Sequence, residues 1–302
     1  MIRYLTLAII FFLLSVAPLS AQELEDLFTR YSSEQSKGYA QPLADVVGAN
    51  MNSGWYRNAV VNRQKFQLYI GLVGLVGLIP EKQKSFTATT PEYFNPTKTV
   101  EAPTIFGPTE GVRVQGANGT SYTFSGGAGM NILPLAVPQI SLGGILGTEV
   151  SFRFFAFNIN DDVGKIDVFG WGIRHSISQY FANPALDLAV GYYNTSFNFT
   201  DIAKSRSGIF SLQGSYRAGI LEFYGGPGYE TSSFDLSYDR SAGDQTERVN
   251  LSLDGINKLR MTLGLGLNLG ALKLNVDYNL SRQSTLAAGI GLGFGHVKKS
   301  EI

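Results

Sequence analysis

The chain has 302 residues, no cysteine, and 24 Lys+Arg against 24 Asp+Glu, for a formal net charge of zero. Disulfide-stapled folds, thiolate metal sites and cysteine nucleophiles are therefore excluded, and no global field draws the chain to nucleic acid. Glycine (35 residues) and aromatics (12%) are abundant, while charged residues make up 16%, well under the roughly 25% of ordinary soluble domains.

The first residues read as a cleavable export signal. Arg3 supplies a positive start, Leu5 to Val16 is an apolar run, and Pro18-Leu19-Ser20-Ala21 is a small-residue exit before Gln22-Glu23. The run is too short to anchor the chain in a bilayer, so cleavage is expected near Ala21. No cysteine comes after it that could carry a lipid. Residues 22–60 are expected to form a helical segment. Leu24, Leu27, Phe28 and Tyr31 fall on one helical face, and Leu43, Val46 and Val47 add a turn or two ended by Gly48 and the cluster from Asn50 to Gly54. Such a segment either lies at the mouth of the larger domain C-terminal to it or plugs that domain, and the sequence leaves both open.

From residue 61 onward the apolar residues alternate. Phe66, Leu68, Ile70 and Leu72 mark a first strand. Prolines 80, 91, 96, 103, 108, 134 and 138 then predict mostly loop to about residue 146, with one or two further strands. After that the period-two pattern is strong. Leu259, Met261, Leu263, Leu265 and Leu267 alternate with Arg260, Thr262, Gly264, Gly266 and Asn268, and the pattern resumes over 272–280 and 286–294. Segments 148–158, 165–178, 186–199, 207–218 and 220–238 continue it, with a bulge expected at Gly225–Gly228. Counting back from the last strand puts Gly270-Ala271, Ala218-Gly219 and Phe181–Pro184 at one end as short turns. The polar loop Asp239–Arg248 falls at the other end, provided 248–270 is one long strand bulged at Asp254-Gly255.

Runs of about 10 to 13 residues match tilted membrane strands, and no later stretch approaches the ~18 apolar residues of a membrane helix. The fold expected is all-β: an antiparallel transmembrane β-barrel of about 10–12 strands (range 8–14) behind the helical segment, in the bacterial outer membrane. A soluble sandwich is the competing fold, but it has no need of strands this long. Tyr180, Phe181, Tyr192, Tyr193, Tyr216 and Tyr238 near strand ends suit interfacial girdles. Outer-membrane lipid, and the barrel-assembly machinery through the C-terminal strand, are the partners expected; no cofactor or metal is.

Catalytic signals are thin. His175 beside Ser176 and Ser178 invites a lipid-hydrolase reading, but strand neighbours point to opposite faces and no orienting acid is in sight. His296 falls in the tail. Asp161-Asp162 reads as a solvated turn. Gly289, Gly291, Gly293 and Gly295 have period two, which suits close approach to the closing strand and not a phosphate loop. The signal that remains is the face opposite the lipid-side residues: Glu149, Arg153, Arg174, Asp187, Arg217, Glu222, Arg260, Lys273 and Asp277. These either pair and fill the lumen or line a selective constriction.

Tyr39-Ala-Gln-Pro-Leu-Ala-Asp, Asn52-Ser-Gly-Trp-Tyr, Ala102-Pro-Thr-Ile-Phe-Gly and the stretch from Asp162-Val-Gly-Lys to Gly170-Trp-Gly-Ile-Arg-His-Ser-Ile-Ser-Gln resemble a family of uncharacterised Bacteroidetes outer-membrane proteins. A helical segment before a barrel is also loosely similar to the long-chain fatty acid transporter class. These resemblances imply location and fold. The function expected is a passive channel or transporter for small solutes, hydrophobic ones included. The alternatives are a non-conducting barrel whose loops bind partners and, third, a hydrolase.

Overall fold

The computed structural model describes residues 33–160, 164–181, 186–200, 202–242 and 245–295; the expected export signal, the apolar face expected at Leu24–Tyr31, Asp161-Asp162 and His296 lie outside them. Helix α1 (Ser33–Met51) leads to strand β1 (Gln67–Leu78). The connection from 79 to 131 folds into two hairpins, β2 (Ser85–Thr89) with β3 (Thr99–Pro103) and β4 (Val112–Gln115) with β5 (Ser121–Phe124). Then come β6 (Ile132–Ile145), β7 (Thr148–Asn160), β8 (Gly164–Ser176), β9 (Asp187–Phe199) and β10 (Ala203–Ala218). They are followed by β11 (Leu221–Ala242), β12 (Gln245–Asp254), β13 (Leu259–Leu269), β14 (Leu272–Leu280) and β15 (Thr285–Phe294).

Each long strand pairs antiparallel with its neighbour in sequence, and β1 pairs with β15 from Leu68 opposite Phe294 to Gly77 opposite Thr285. That last pairing closes the sheet into a barrel. β12 and β13 share one wall position, because both lie against the 22-residue β11. Ser233 faces Asp254 while Tyr229 faces Leu259, so the β12–β13 side carries one extra residue, a bulge after Asp254. The ring thus has ten strands: β1, β6 to β11, the β12–β13 composite, β14 and β15.

Three expectations need correction. The proline-rich zone holds two hairpins and a full barrel strand. Pro134 and Pro138 sit in β6 where it pairs with β1 alone, since pairing to β7 begins at Gln139. A proline costs no ladder bond on an unpaired side. The register of β10 with β11 does not shift at Gly225–Gly228, since Ser211 opposes Gly228 and Gly214 opposes Gly225. Pro227 and Gly226 (φ +148°) interrupt the hydrogen bonds there without adding a residue; the register shifts fall at Gly143/Ile145 and Asn158/Asn160. Finally, Asp239–Arg248 is mostly strand, with Asp239 paired to Arg248 and Ala242 to Gln245.

Burial follows the alternation. Along β10, Ser205, Ser207, Ile209, Ser211, Gln213 and Ser215 are buried, while Phe210, Leu212 and Tyr216 are exposed. Ile70, Phe154, Trp171, Leu263 and Ile290 join the exposed outer face. Water would make this belt an aggregation surface, whereas hydrocarbon matches it. No described helix is long and apolar enough to cross a membrane. Of the tyrosines expected in the girdle, Tyr180, Tyr192 and Tyr216 are exposed with Phe181, but Tyr193 and Tyr238 are buried in the lumen. Period two requires this of Tyr193, because it adjoins Tyr192.

Candidate functional site

Helix α1 touches β1, β6, β9, β10, β11 and β12, strands from around the ring, so it lies inside the barrel. It runs through Pro42 and Gly48 to end at Met51, within the Asn50–Gly54 cluster expected to stop it, and Gly48 is needed inside it. The reason is packing: a Cβ on Gly48 would sit 2.2 Å from Ser232 Oγ of the wall. Tyr39, Ala40, Val46 and Val47 are buried with Phe124 of the β4–β5 hairpin, Phe106 between the two hairpins, and Phe234, Leu236 and Leu253 of β11 and β12, with half-buried Phe86 packed against them. This apolar core closes the end of the barrel that carries the long connections, here the loop end.

Toward the opposite, turn end the contacts become polar. The last carbonyls of a helix have no partner of their own, and the wall and the segment just after the helix supply them. Arg260 donates to Ala49 O (2.9 Å), and Thr195 Oγ1 and Trp55 Nε1 donate to Met51 O (3.2 and 3.1 Å). Arg153 Nη1 donates to Ser53 O (2.9 Å), Gln139 to Trp55 O (3.0 Å), and Arg174 to Asn58 O. Arg260 also reaches Ser53 Oγ (2.7 Å), and the Ala59 N–H donates to Ser215 Oγ (3.0 Å). Cations at this position also complement the negative end of the helix dipole.

The residues expected to line the lumen differ in burial. Glu149, Arg153, Arg174, Glu222, Arg260, Lys273 and Asp277 are buried, and Asp187 and Arg217 are half-buried. Arg174 grips Glu149 through two bonds (2.8 and 3.0 Å), and Arg217 pairs with Glu222 (2.8 Å). Arg260 pairs with Glu230 (2.8 Å). Asp277 accepts from Tyr224 (2.9 Å) and Asn279 (2.7 Å). Arg153 lies over the Trp55 ring at 3.9 Å, and Trp55 in turn stacks on Tyr193 at 4.9 Å. Asp45 on α1 accepts from Gln41 (2.8 Å), the Ile256 N–H (3.0 Å) and Gln83 (3.4 Å). Burial nevertheless holds its carboxyl above the usual carboxylate range.

Sequence reasoning missed Glu230, Gln139, Arg57 and Asp45. Glu230 was hidden behind the expected bulge and Gln139 behind the prolines. Arg57, whose guanidinium lies 3.6 Å over the Tyr69 ring, and Asp45 sit in a segment with no period to orient them. Tyr69 in turn lies across Gly71 and Gly291, where a Cβ would meet its ring at 2.6 Å or less. His175 bonds Thr148 Oγ1 (2.9 Å) and Tyr180 Oη (2.8 Å), while Ser176 faces the other way toward Ser178 (3.3 Å). Between segment and wall, beside Asn52, Trp55, Tyr56, Thr262 and Asp277, lies a small cavity with room for about one water.

Fold and site define a membrane-type β-barrel whose lumen is occupied by its own N-terminal segment. The Ralstonia pickettii toluene transporter TbuX is similar at 7% identity and a TM-score of 0.26, over 84% of this chain and 98% of that one. The Yersinia pestis attachment invasion locus protein Ail (13%, TM-score 0.21, 77% and 99%) and a Pseudomonas aeruginosa FadL homologue (8%, TM-score 0.25, 88% and 95%) are similar too. Likeness this distant says nothing of activity. No curated protein matches the sequence. Residues 1–294 match DUF6588, a family of unknown function, and the chain belongs to that family.

Proposed function

We propose that the protein is a gated outer-membrane barrel that passes a small solute, with residues 33–62 as its removable closure. One observation carries this reading. The ten-stranded wall does not seal itself; a separate segment seals it, and at the turn end the wall holds that segment largely by its backbone carbonyls. Such contacts can be exchanged for water one at a time, unlike an interdigitated apolar core. Arg153, Arg174 and Arg260 are then the latch and, once it opens, part of the lining.

The test is conductance in planar bilayers. The full chain is expected to be quiet. Replacing Arg153 by Ala, and Arg260 together with its ion-pair partner Glu230 by Ala and Gln so that no buried charge is stranded, removes latch contacts worth roughly 1.5–3 kcal/mol each, and should raise the open fraction at least about tenfold. A chain lacking residues 33–62 should conduct steadily. If both variants fold and stay silent, the gate is refuted. The reading left is a sealed barrel that binds a partner through residues 79–131, which fold into a hydrogen-bonded cap over α1.

A further inference from the structure

Register places side chains in rows around the outer wall. One row consists of Ile173, Tyr192, Phe210, Tyr229 and Leu259, on β8, β9, β10, β11 and β13, each directly opposite the next. Below it, toward the turn end, the outer face of β10 continues with exposed Leu212 and Tyr216. Toward the loop end the chemistry changes on β9, β10 and β11, while on β8 exposed Trp171 and Phe169 keep the same rows apolar. The next rows on β9, β10 and β11 are Asn194, Gly208 and Thr231, then Ser196, Arg206 and Ser233, then Asn198, Lys204 and Asp235.

Gly208 makes a notch in this face. A Cβ built there would lie 3.4 Å from Tyr192 Oη, 3.7 Å from Asn194 Nδ2 and 3.8 Å from Thr231 Oγ1. Three polar groups thus converge on a hole that no side chain fills, and Arg206 stands one pleat above it. Arg206 and Lys204 are exposed, and neither has a hydrogen bond or ion pair among the described residues. The side chains of Tyr192, Asn194 and Thr231 likewise have no hydrogen bond there. Asp235, opposite Lys204 in the register, accepts from Ser252 (2.6 Å).

We infer that this notch and the two cations above it bind the phosphorylated headgroup of an outer-leaflet lipid, its acyl chains lying on Phe210, Leu212 and Tyr229. The chemistry recognised is a phosphate monoester: two unpaired cations offer charge-assisted bonds, and the neutral donors of the notch supply the rest. A lipid is favoured over free phosphate because the site borders the aromatic row where hydrocarbon gives way to headgroups. The inference rests on the outer-membrane part of the proposed function, not on the gate.

The experiment uses the full chain in neutral detergent, its folded barrel verified by mobility on unboiled gels. Bound lipid is read by native mass spectrometry, with bisphosphorylated lipid A, dephosphorylated lipid A and inorganic phosphate as probes. Wild type should hold bisphosphorylated lipid A, and the variant K204E/R206E should hold it about tenfold more weakly. Gly208→Val should do the same by filling the notch; its Cβ would meet nothing closer than Tyr192 Oη at 3.4 Å, and the unboiled gel checks that this variant folds. Dephosphorylated lipid A should bind no better than it does to the variants. Equal retention by wild type and both variants would overturn the site, and competition by millimolar inorganic phosphate would overturn the lipid. A barrel that shows no shift on unboiled gels fails at the earlier step and is told apart by that gel.

Discussion

Glu149 and Arg174 show how this barrel tolerates charge away from water. Both are almost fully buried, and the two-pronged contact leaves Arg174 a further donor for the Asn58 carbonyl of the lumen segment. Removing one member of such a pair strands the other, at a cost of about 3–5 kcal/mol, whereas removing both costs much less. Glu149→Gln alone should therefore lower the urea midpoint of the barrel in vesicles more than Glu149→Gln with Arg174→Gln. Equal loss in the two would mean that Arg174 matters for its hold on Asn58 and not for the ion pair.

Asp45 is the opposite case, a buried acid with hydrogen bonds and no ion pair among the described residues. Desolvation raises its carboxyl, and the bonds from Gln41, Ile256 and Gln83 offset this only in part. A group whose folded pKa lies above its unfolded value stabilises below the unfolded value, and that stability is lost as pH rises through the folded one. Ionised Asp45 thus costs stability at neutral pH. Asp45→Asn keeps an acceptor for the Ile256 N–H and offers a donor to the otherwise unpartnered Gln83 Oε1. The variant should unfold at or above the wild-type midpoint at pH 7. Its advantage should shrink as the pH falls through the carboxylate range; an advantage that does not vary with pH would exclude ionisation as the cause.

At the scale of elements, legibility tracked how differently the two faces of a strand are solvated. On β13, β14 and β15 one face meets hydrocarbon and the other a filled lumen, so Leu263, Val276 and Ile290 alternate with Thr262, Asp277 and Gly291 without exception, and the strand limits could be read from that. The same parity placed Glu149, Arg153 and Arg260 on the inner face. It could not give their partners, because those lie across the ring or on the lumen segment: Glu230 for Arg260, Trp55 for Arg153. Where the contrast fades, so does the signal. The cap hairpins β2–β3 and β4–β5 are four or five residues long and sit over other protein. α1 is surrounded by protein, so its buried residues span its circumference and leave no amphipathic stripe.

At the scale of the whole molecule the two ends of the barrel are closed by different chemistry. The loop end is an apolar core of α1, the cap and the β11–β12 hairpin, and the turn end is a set of polar contacts to residues 49–62. If the long connections face outward, as short turns on the inner side of an outer membrane require, the apolar seal faces the environment and the polar latch, the part of the closure that releases first, faces the cell. Orientation can be measured directly because the chain has no cysteine of its own. Thr123→Cys in β5 and Ala271→Cys in the turn between β13 and β14 are both exposed positions. On intact cells a membrane-impermeant maleimide should label the first and leave the second untouched until the cells are lysed. The reverse pattern would put the cap inside. The polar latch would then face outward, and the rows at Arg206 and Lys204 would meet the inner leaflet, which rules out an outer-leaflet lipid and reverses the direction of the gate.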